Sequence, residues 1–385
     1  MQLVPVLLAA LAAGLWVMFG YQAVLARWGW SVRPGPTPSE GVRFAVLIPA
    51  HDEEVALGAL LASLRRVDYP SSGLFVLVIA DHCSDGTARV ARAGDVACLE
   101  RAEGARGKAA GLRDGLSWLE SQRPGWADGV AFFDADNVVD PAFFRYAAGH
   151  LAAGTPVVQG HVGIANRDAT LFARLNYINA MVENRFKELA RSQAGLTCQL
   201  RGHGMVFRSD LLRQVEWQAD SMAEDKGMVV RLVLAGMRVV WDDRARVESV
   251  LPERAREAAA QRRRWAGGKA AVARSSVGAL WRRWRGTGDP VAFDLMVDFL
   301  MPSHAVQLSL VFGAIAVSAA LAGLHSWVFL AVLGLAPAYL AYFYLANLRA
   351  GVPGRFFLSV FAAPIYILWR TWINVTRASG VRRWR

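Results

Sequence analysis

Lysine is almost missing from this chain: 39 of its 43 basic residues are arginine, and the only lysines are Lys108, Lys187, Lys226 and Lys269. Cysteine is scarce as well. Cys83, Cys98 and Cys198 are widely spaced with no CxxC among them, which excludes a disulfide scaffold, argues against a zinc site and leaves free thiols in a reducing compartment. Charged residues make up 19% of the chain, against about 25% in an average soluble domain. Hydrophobic residues reach 54%, so disorder and collagen-like repeats are excluded too. No Walker A loop and no GxGxxG follows a strand-like run, and the P-loop and Rossmann readings fail with them. The length of 385 residues is compatible with one large domain or two small ones. A formal charge of +11 could suit nucleic acid. The arginines, however, gather beside apolar runs and in one short motif instead of interleaving with aromatics along one soluble face.

The longest stretches without charge indicate a membrane. From Leu3 to Ala26 there are 24 residues and no charge, where a spanning helix needs about 20. Nothing basic precedes Arg27, so a retained anchor is expected in place of a cleaved signal. Phe299 to Leu348 is a run of 50 residues without Asp, Glu, Lys or Arg. That suits two spans, with Gly323-Leu324-His325-Ser326 as the turn. Arg27, Arg33 and Arg43 follow the first span, and Arg349 and Arg355 follow the third. The positive-inside rule therefore predicts a multi-pass inner-membrane protein with its middle segment in the cytoplasm. The last apolar stretch, Phe356–Trp369, has 14 residues and contains Pro364. It is predicted to lie in the interface, with the arginines at 377, 382, 383 and 385 in the cytosol; a fourth crossing is the alternative. The predicted organisation is an anchor over 1–30, a cytoplasmic domain over 31–290, and a membrane region over 291–385 with two spans and the interfacial helix.

After a Pro-rich linker (31–40), the middle segment alternates strand and helix patterns. Phe44–Ile48 reads as a buried strand stopped by Pro49, Val55–Arg66 as a helix, and Leu74–Ala80 and Val130–Phe133 as further strands. Alternation of this kind implies a mainly parallel sheet, with ligands beyond the carboxyl ends of the strands. Each strand end carries acids: His51-Asp52-Glu53-Glu54, Asp81-His82-Cys83-Ser84-Asp85-Gly86 and Asp134-Ala135-Asp136-Asn137. A single such end would be capping or a turn; three in register can converge on one crevice. Asp134 and Asp136 offer hard oxygens that suit Mg²⁺ or Mn²⁺ completed by phosphates and water. Arg106-Gly107-Lys108 could grip a nucleotide, although a solvated charge run would look the same. Glu224-Asp225 opens a helix, where the dipole alone favours acids. In Gln261-Arg262-Arg263-Arg264-Trp265, arginine suits phosphate and Trp offers a flat ring, while a lipid-facing basic patch is the competing reading.

Taken together, FAVLIPAHDEE, VLVIADHCSDGTA, ARGKAAGL, FFDADNVVDP, LRGHGMVFRSDLL, AEDKGMVVRLVLAG and QRRRW resemble the family 2 glycosyltransferases. The likeness is to the membrane-embedded branch that includes cellulose, hyaluronan and poly-N-acetylglucosamine synthases, and it runs from about Phe44 to Lys269. It implies a GT-A nucleotide-sugar-binding domain, α/β with a mainly parallel sheet, inserted between transmembrane helices. It also implies an inverting transferase that moves a hexosyl or N-acetylhexosaminyl group from a UDP-sugar to an acceptor hydroxyl. By the resemblance, Pro49, Ala50 and Glu53 border the nucleotide, Asp81 binds the uracil edge, and Lys108 approaches the nucleotide. Asp134 contacts ribose or diphosphate, and Asp136 holds the Mg²⁺ or Mn²⁺. Asp225, with Glu224 beside it, matches the general base. Arg264 and Trp265 close over the diphosphate, and Gln261, Gly202 and His203 belong to the acceptor side.

The sequence departs from the family pattern at His51, Ala80, Ala223 and Cys198, which bears on donor and acceptor more than on reaction class. QRRRW favours polysaccharide or oligosaccharide synthesis. Three spans make a thin pore wall, so a second copy or an accessory export subunit is expected beside membrane lipid. Single transfer to a membrane lipid is the main alternative, and a catalytically silent scaffold the third. No nucleic-acid partner is expected.

Overall fold

The computed structural model describes residues 3–215, 224–252 and 255–375. Ala223, the tail arginines, and the side chains of Glu224, Arg264 and Trp265 lie outside the described residues. Helix α1 (Leu3–Trp30) precedes an extended linker. Then come β1 (Phe44–Ala50), α2 (Leu57–Leu64), β2 (Leu74–Asp81), α3 (Thr87–Ala93), β3 (Ala97–Arg101), α4 (Lys108–Gln122), β4 (Gly129–Phe132), β5 (Asn137–Val139), α5 (Phe143–Ala152) and β6 (Val157–Ile164). Next, α6 (Leu171–Val182) runs through a π-helical stretch, Glu183–Leu189, into the short α7 (Ala190–Gln193). After these follow β7 (Met205–Arg208), α8 (Ser209–Gln214), α9 (Glu224–Leu234), β8 (Val240–Ser249) and the long α10 (Ala255–Thr287). Helices α11 (Pro290–Leu300), α12 (His304–Ala322), α13 (Trp327–Arg349), a 3₁₀ stretch Gly354–Ala362 and α14 (Ala363–Val375) complete the described chain.

The eight strands form one sheet in the order β3-β2-β1-β4-β7-β6-β8-β5. The first four are mutually parallel; β7 then enters antiparallel to β4 and β6, while β8 pairs parallel with β6 and antiparallel with β5. The sheet is thus mixed, and parallel only where β-α-β crossovers build it. Every residue of β1 is buried, as expected for a strand with helices on both faces. Alternation sorts its side chains: Leu47, Leu77 and Ile79 meet α4, α9, α10 and α11 on one face, and Val46, Ile48 and Val78 meet α2 and α5 on the other. Pro49 does not stop the strand. Its missing N–H costs nothing because β4 pairs with β1 only as far as Leu47, so the strand beyond has a neighbour on one side alone. Helix α2, at Leu57–Leu64, is shorter than the Val55–Arg66 that the sequence pattern predicts.

Among the described residues, three helices, α1, α12 and α13, are long and apolar enough to cross a membrane. Even the shortest, with 19 residues, reaches roughly 28 Å at about 1.5 Å per residue, close to a hydrocarbon thickness of about 30 Å. They pack together through Leu8, Leu15, Val311, Val332 and Leu335. Polar side chains within the bundle satisfy one another: Gln22 donates to Gln307 at 2.7 Å, Tyr339 donates to Gln307 at 3.0 Å, and His304 meets Gln22 at 3.1 Å. The Arg349 guanidinium donates to the Trp30 carbonyl at 2.9 Å, so the far ends of α1 and α13 lie side by side. The stretch 356–369 breaks into the 3₁₀ segment and α14, with Pro364 in the first turn of α14 where its missing donor is tolerated. Leu358, Ile365, Leu368 and Trp372 remain exposed there.

Candidate active site

Adjacency of β2, β1 and β4 carries their following loops to one edge of the sheet. The first two loops are fastened to each other. Glu53 N donates to Thr87 Oγ1 at 2.8 Å, Glu54 accepts from Gly86 N at 2.9 Å and from Arg89 at 2.6 Å, and Asp52 accepts from Ser84 N at 2.7 Å. Asp52 and His82, each just past its strand, hold positive φ of 54° and 53°. Left-handed backbone at non-glycine residues costs about 1–3 kcal/mol and tends to persist at functional sites. Pro49 and Ala50 form the strand end beneath them, with His51 Nδ1 2.7 Å from the Asp81 carbonyl.

Asp81 is buried, and both its oxygens are engaged. Arg101 and His82 meet Oδ1, and Gly107 N donates to Oδ2 at 2.8 Å. Arg101 also pairs with Asp114 at 2.7 Å. This buried knot anchors the turn 104–107, where Gly107 sits at φ 122°, a conformation L side chains rarely adopt. The turn launches α4 with Lys108 at its first position. Lys108 Nζ contacts Asp134 and donates to the Gly202 carbonyl at 2.9 Å, joining the edge of the sheet to the loop before β7.

Asp134 and Asp136 lie in the turn between β4 and β5, shaped by the buried Asn137. Asn137 Oδ1 accepts from Asp134 N at 3.0 Å, its amide donates to Asp136 at 3.0 Å, and His203 Nδ1 lies 3.0 Å from that same Oδ1. Burial, then the charges of Asp134 and Glu53, push Asp136 up to about 7. Glu53 is raised by burial and by Asp134 and Asp85. Burial alone would raise Asp134 as well, but Lys108 and His203 outweigh it and hold that carboxyl low. Three mutually repelling carboxyls around a half-buried turn make a donor set that a hard divalent cation would relieve, so these residues fit Mg²⁺ or Mn²⁺. Among the described residues, the group whose ligand atoms all lie within 4.8 Å of one another is His51, Asp52 and Cys83; a set containing a thiol suits a softer metal.

The opposite wall is the loop 198–204. Lys226 Nζ contacts the Leu200 carbonyl, and Asp225, at the start of α9, has its carboxylate 3.4 Å from that ammonium. Burial, with Lys108 and Arg201 adding to it, drives His203 down to about 4 against the opposing pull of Asp134 and Asp225. Gly202, at φ 82°, makes the turn that presents it. Asp134, Asp136, Lys108, Gly202, His203 and Asp225 are therefore brought together, while Pro49, Ala50 and Glu53 border the same edge. Gln261 is half-buried on α10; Arg264 and Trp265 ride on that helix with their side chains outside the described residues. Arg262 of the same motif contacts Asn176 and donates to Tyr366 at 3.1 Å, pinning α10 to α6 and α14.

Sequence reasoning missed Gln159. This fully buried side chain accepts from Arg201 N at 2.9 Å and donates to the His203 carbonyl at 3.0 Å and the Gly204 carbonyl at 3.2 Å. A lone amide inside the apolar strand text VVQGHVGI was its available signal. Glu188, buried and accepting from Gln199 N at 2.8 Å, was missed for a different reason: a charge in a helix reads as surface.

Residues 41–268 match the model of the family described as Glycosyltransferase like family 2. A probable glycosyltransferase of Bacillus subtilis, YdaM, is 24% identical over 277 residues, covering 66% of this chain and 64% of its own length. The beta-monoglucosyldiacylglycerol synthase of a Synechocystis species is 25% identical over 201 residues, covering 50% of this chain and 41% of its own. The chain thus spans less than two thirds of either relative. Among solved structures, the mannosyltransferase PcManGT of Pyrobaculum calidifontis, in complex with GDP-Man and Mn²⁺, superposes with a TM-score of 0.61. At 21% identity it covers 94% of this chain and 99% of its own, a likeness of fold.

Proposed function

Because the chain belongs to glycosyltransferase family 2, we propose that it is an inverting enzyme moving a sugar from a UDP-sugar to an acceptor hydroxyl at the cytoplasmic membrane face. The observation carrying this reading is the joining of the sheet edge, through Lys108, to the loop 198–204, which Lys226 in turn ties to Asp225.

In this reading the acceptor oxygen bonds to the anomeric carbon as the bond to the diphosphate oxygen breaks on the opposite face, and UDP departs. Asp225 takes the hydroxyl proton. Glu53, Pro49 and Ala50 shape the nucleotide edge, and Asp81 acts there through the turn it anchors. Lys108 offsets charge on the diphosphate side, with Arg264 and Trp265 assigned by motif to the same task. Asp136, with Asp134 and Glu53 near it, would hold Mg²⁺ or Mn²⁺, which when bound neutralises the charge growing on the leaving group.

The helices α1, α12 and α13 close on one another with side chains filling the space between them. That packing favours an acceptor delivered along the membrane surface over a polymer threaded through this bundle. The arginines at the joined ends of α1 and α13 support a cytosolic placement of that edge. The test is a donor screen with purified full chain, Mn²⁺ or Mg²⁺, and a panel of UDP- and GDP-sugars, measuring released nucleoside diphosphate and sizing the product. Release from a UDP-sugar with a single glycolipid product is expected. A product ladder would restore the polymer reading, and silence with every donor would remove the enzyme.

A further inference from the structure

All four lysines meet the loop 198–204 or Asp298, which that loop's Gln199 bonds. Lys108 bonds the Gly202 carbonyl and Lys226 the Leu200 carbonyl. Lys187 pairs with the Asp298 carboxylate at 2.9 Å, and Lys269 donates to the Asp298 carbonyl at 2.8 Å and the Met301 carbonyl at 3.4 Å. Asp298 also accepts from the Gln199 amide at 3.0 Å. Lys187, Lys226 and Lys269 therefore flank the same short stretch, Gln199-Leu200.

The charges are layered. Glu188, Asp298 and Asp294 stand behind, with side chains 1%, 3% and 4% exposed. In front, Lys187, Arg201 and Lys226 are 31%, 26% and 21% exposed, and Lys269 is partly exposed beside them. Glu183 and Asp225 are the front-layer acids. Burial, only partly offset by Asp298 and reinforced by Lys187, Lys226 and Arg191, pushes the Lys269 ammonium down to about 8, a condition a further anion would relieve. Lysine differs from arginine in presenting a compact point charge with three donors, which suits a phosphate oxygen in a confined space. The cluster also sits at a boundary: Met301 lies just before α12, a helix able to cross the membrane. Lipid phosphates occupy that level.

We propose that Lys187, Lys226 and Lys269 form a phosphate subsite for the acceptor, so that the acceptor is a hydroxyl compound that also bears a phosphate. The inference rests on the proposed transfer to an acceptor hydroxyl, with the phosphate at the lysines and the hydroxyl toward Asp225.

The test measures binding to the purified full chain in detergent. The probes are phosphatidylglycerol, diacylglycerol as its uncharged counterpart, glycerol 3-phosphate as a competitor, and UDP with Mn²⁺. Phosphatidylglycerol is expected to bind at least tenfold tighter than diacylglycerol. The double variant Lys226→Gln/Lys269→Gln should lose that advantage, Lys226→Arg/Lys269→Arg should keep most of it, and all should bind UDP alike. Competition by glycerol 3-phosphate supports recognition of the phosphate itself; phosphatidylglycerol binding without such competition supports a lipid-borne phosphate. Equal wild-type affinity for the two lipids overturns the subsite, as does a glutamine variant that still discriminates. The wild-type comparison decides even where a variant fails to fold. Failure of wild-type UDP binding would strike the transferase reading instead.

Discussion

Replacing Gln159 with leucine separates the scaffold of the acceptor loop from the chemistry it carries. The two side chains are similar in volume, so the strand keeps its packing. The substitution removes the acceptor of Arg201 N–H and a donor to the His203 carbonyl. Gly204 O retains its bond from Gly160 N at 2.8 Å and is not orphaned. The Gly160 carbonyl loses its Gln159 donor as well, so three backbone groups lose a partner, and a buried unsatisfied group costs about 1–3 kcal/mol. Relaxation of the loop offsets part of this, so roughly 2–4 kcal/mol is expected, a large share of a typical domain stability of about 5–15 kcal/mol. The thermal midpoint should fall by several degrees. The β1, β2 and β4 ends do not depend on Gln159, so UDP binding should change little while transfer falls. Calorimetry or fluorescence melting, beside UDP titration and turnover, reads all three. A variant that melts and turns over like wild type would show that the buried amide does not hold the loop. Equal losses of UDP binding and turnover would show that the two walls of the site are not separable.

Asp225→Asn should lower turnover by about 10²–10⁴-fold, the usual worth of a positioned base, with UDP affinity nearly unchanged; near-normal turnover would remove Asp225 from that role. With Asp136 raised to about 7, a proton must leave before a cation binds, so Mn²⁺ affinity should climb about tenfold per pH unit below that point and then level off. Stability of the metal-free chain should run the other way. A carboxyl raised in the folded state favours folding at low pH and loses that contribution as pH rises through about 7; Asp136→Asn should flatten both profiles in Mn²⁺ titration and melting. Gly107→Ala forces an alanine to φ 122°, which should cost about 1–3 kcal/mol and weaken donor binding through the Lys108 turn; unchanged UDP affinity would show that the turn does not shape that edge.

Much of this architecture was legible without coordinates because local pattern carried it. The apolar strand texts, the acids that follow them, and the uncharged runs each reflect a period or a length that a few neighbouring residues reveal. What failed locally failed for identifiable reasons. Pro49 reads as a stop until the pairing of β4 with β1 is seen to end at Leu47, which frees the side on which proline lacks its donor. The four-residue β7 is too short to show a strand pattern in the sequence, and only its pairing places it antiparallel beside β4. Gln159 and Glu188 carry no motif, since most of their partners lie more than ten residues away and their value comes from burial.

The linear text alone determined the membrane-length helices, the parallel half of the sheet and the identity of the acids at its edge, because hydropathy and strand periodicity are short-range properties. Tertiary structure alone decided that Lys108 joins Asp134 to Gly202, that His203 meets Asn137 of the acidic turn, and that four scattered lysines meet the loop 198–204 or Asp298 beneath it. Those relations link residues tens to more than a hundred positions apart. Ion-pair geometry and burial, which create them, exist only after the chain has closed on itself.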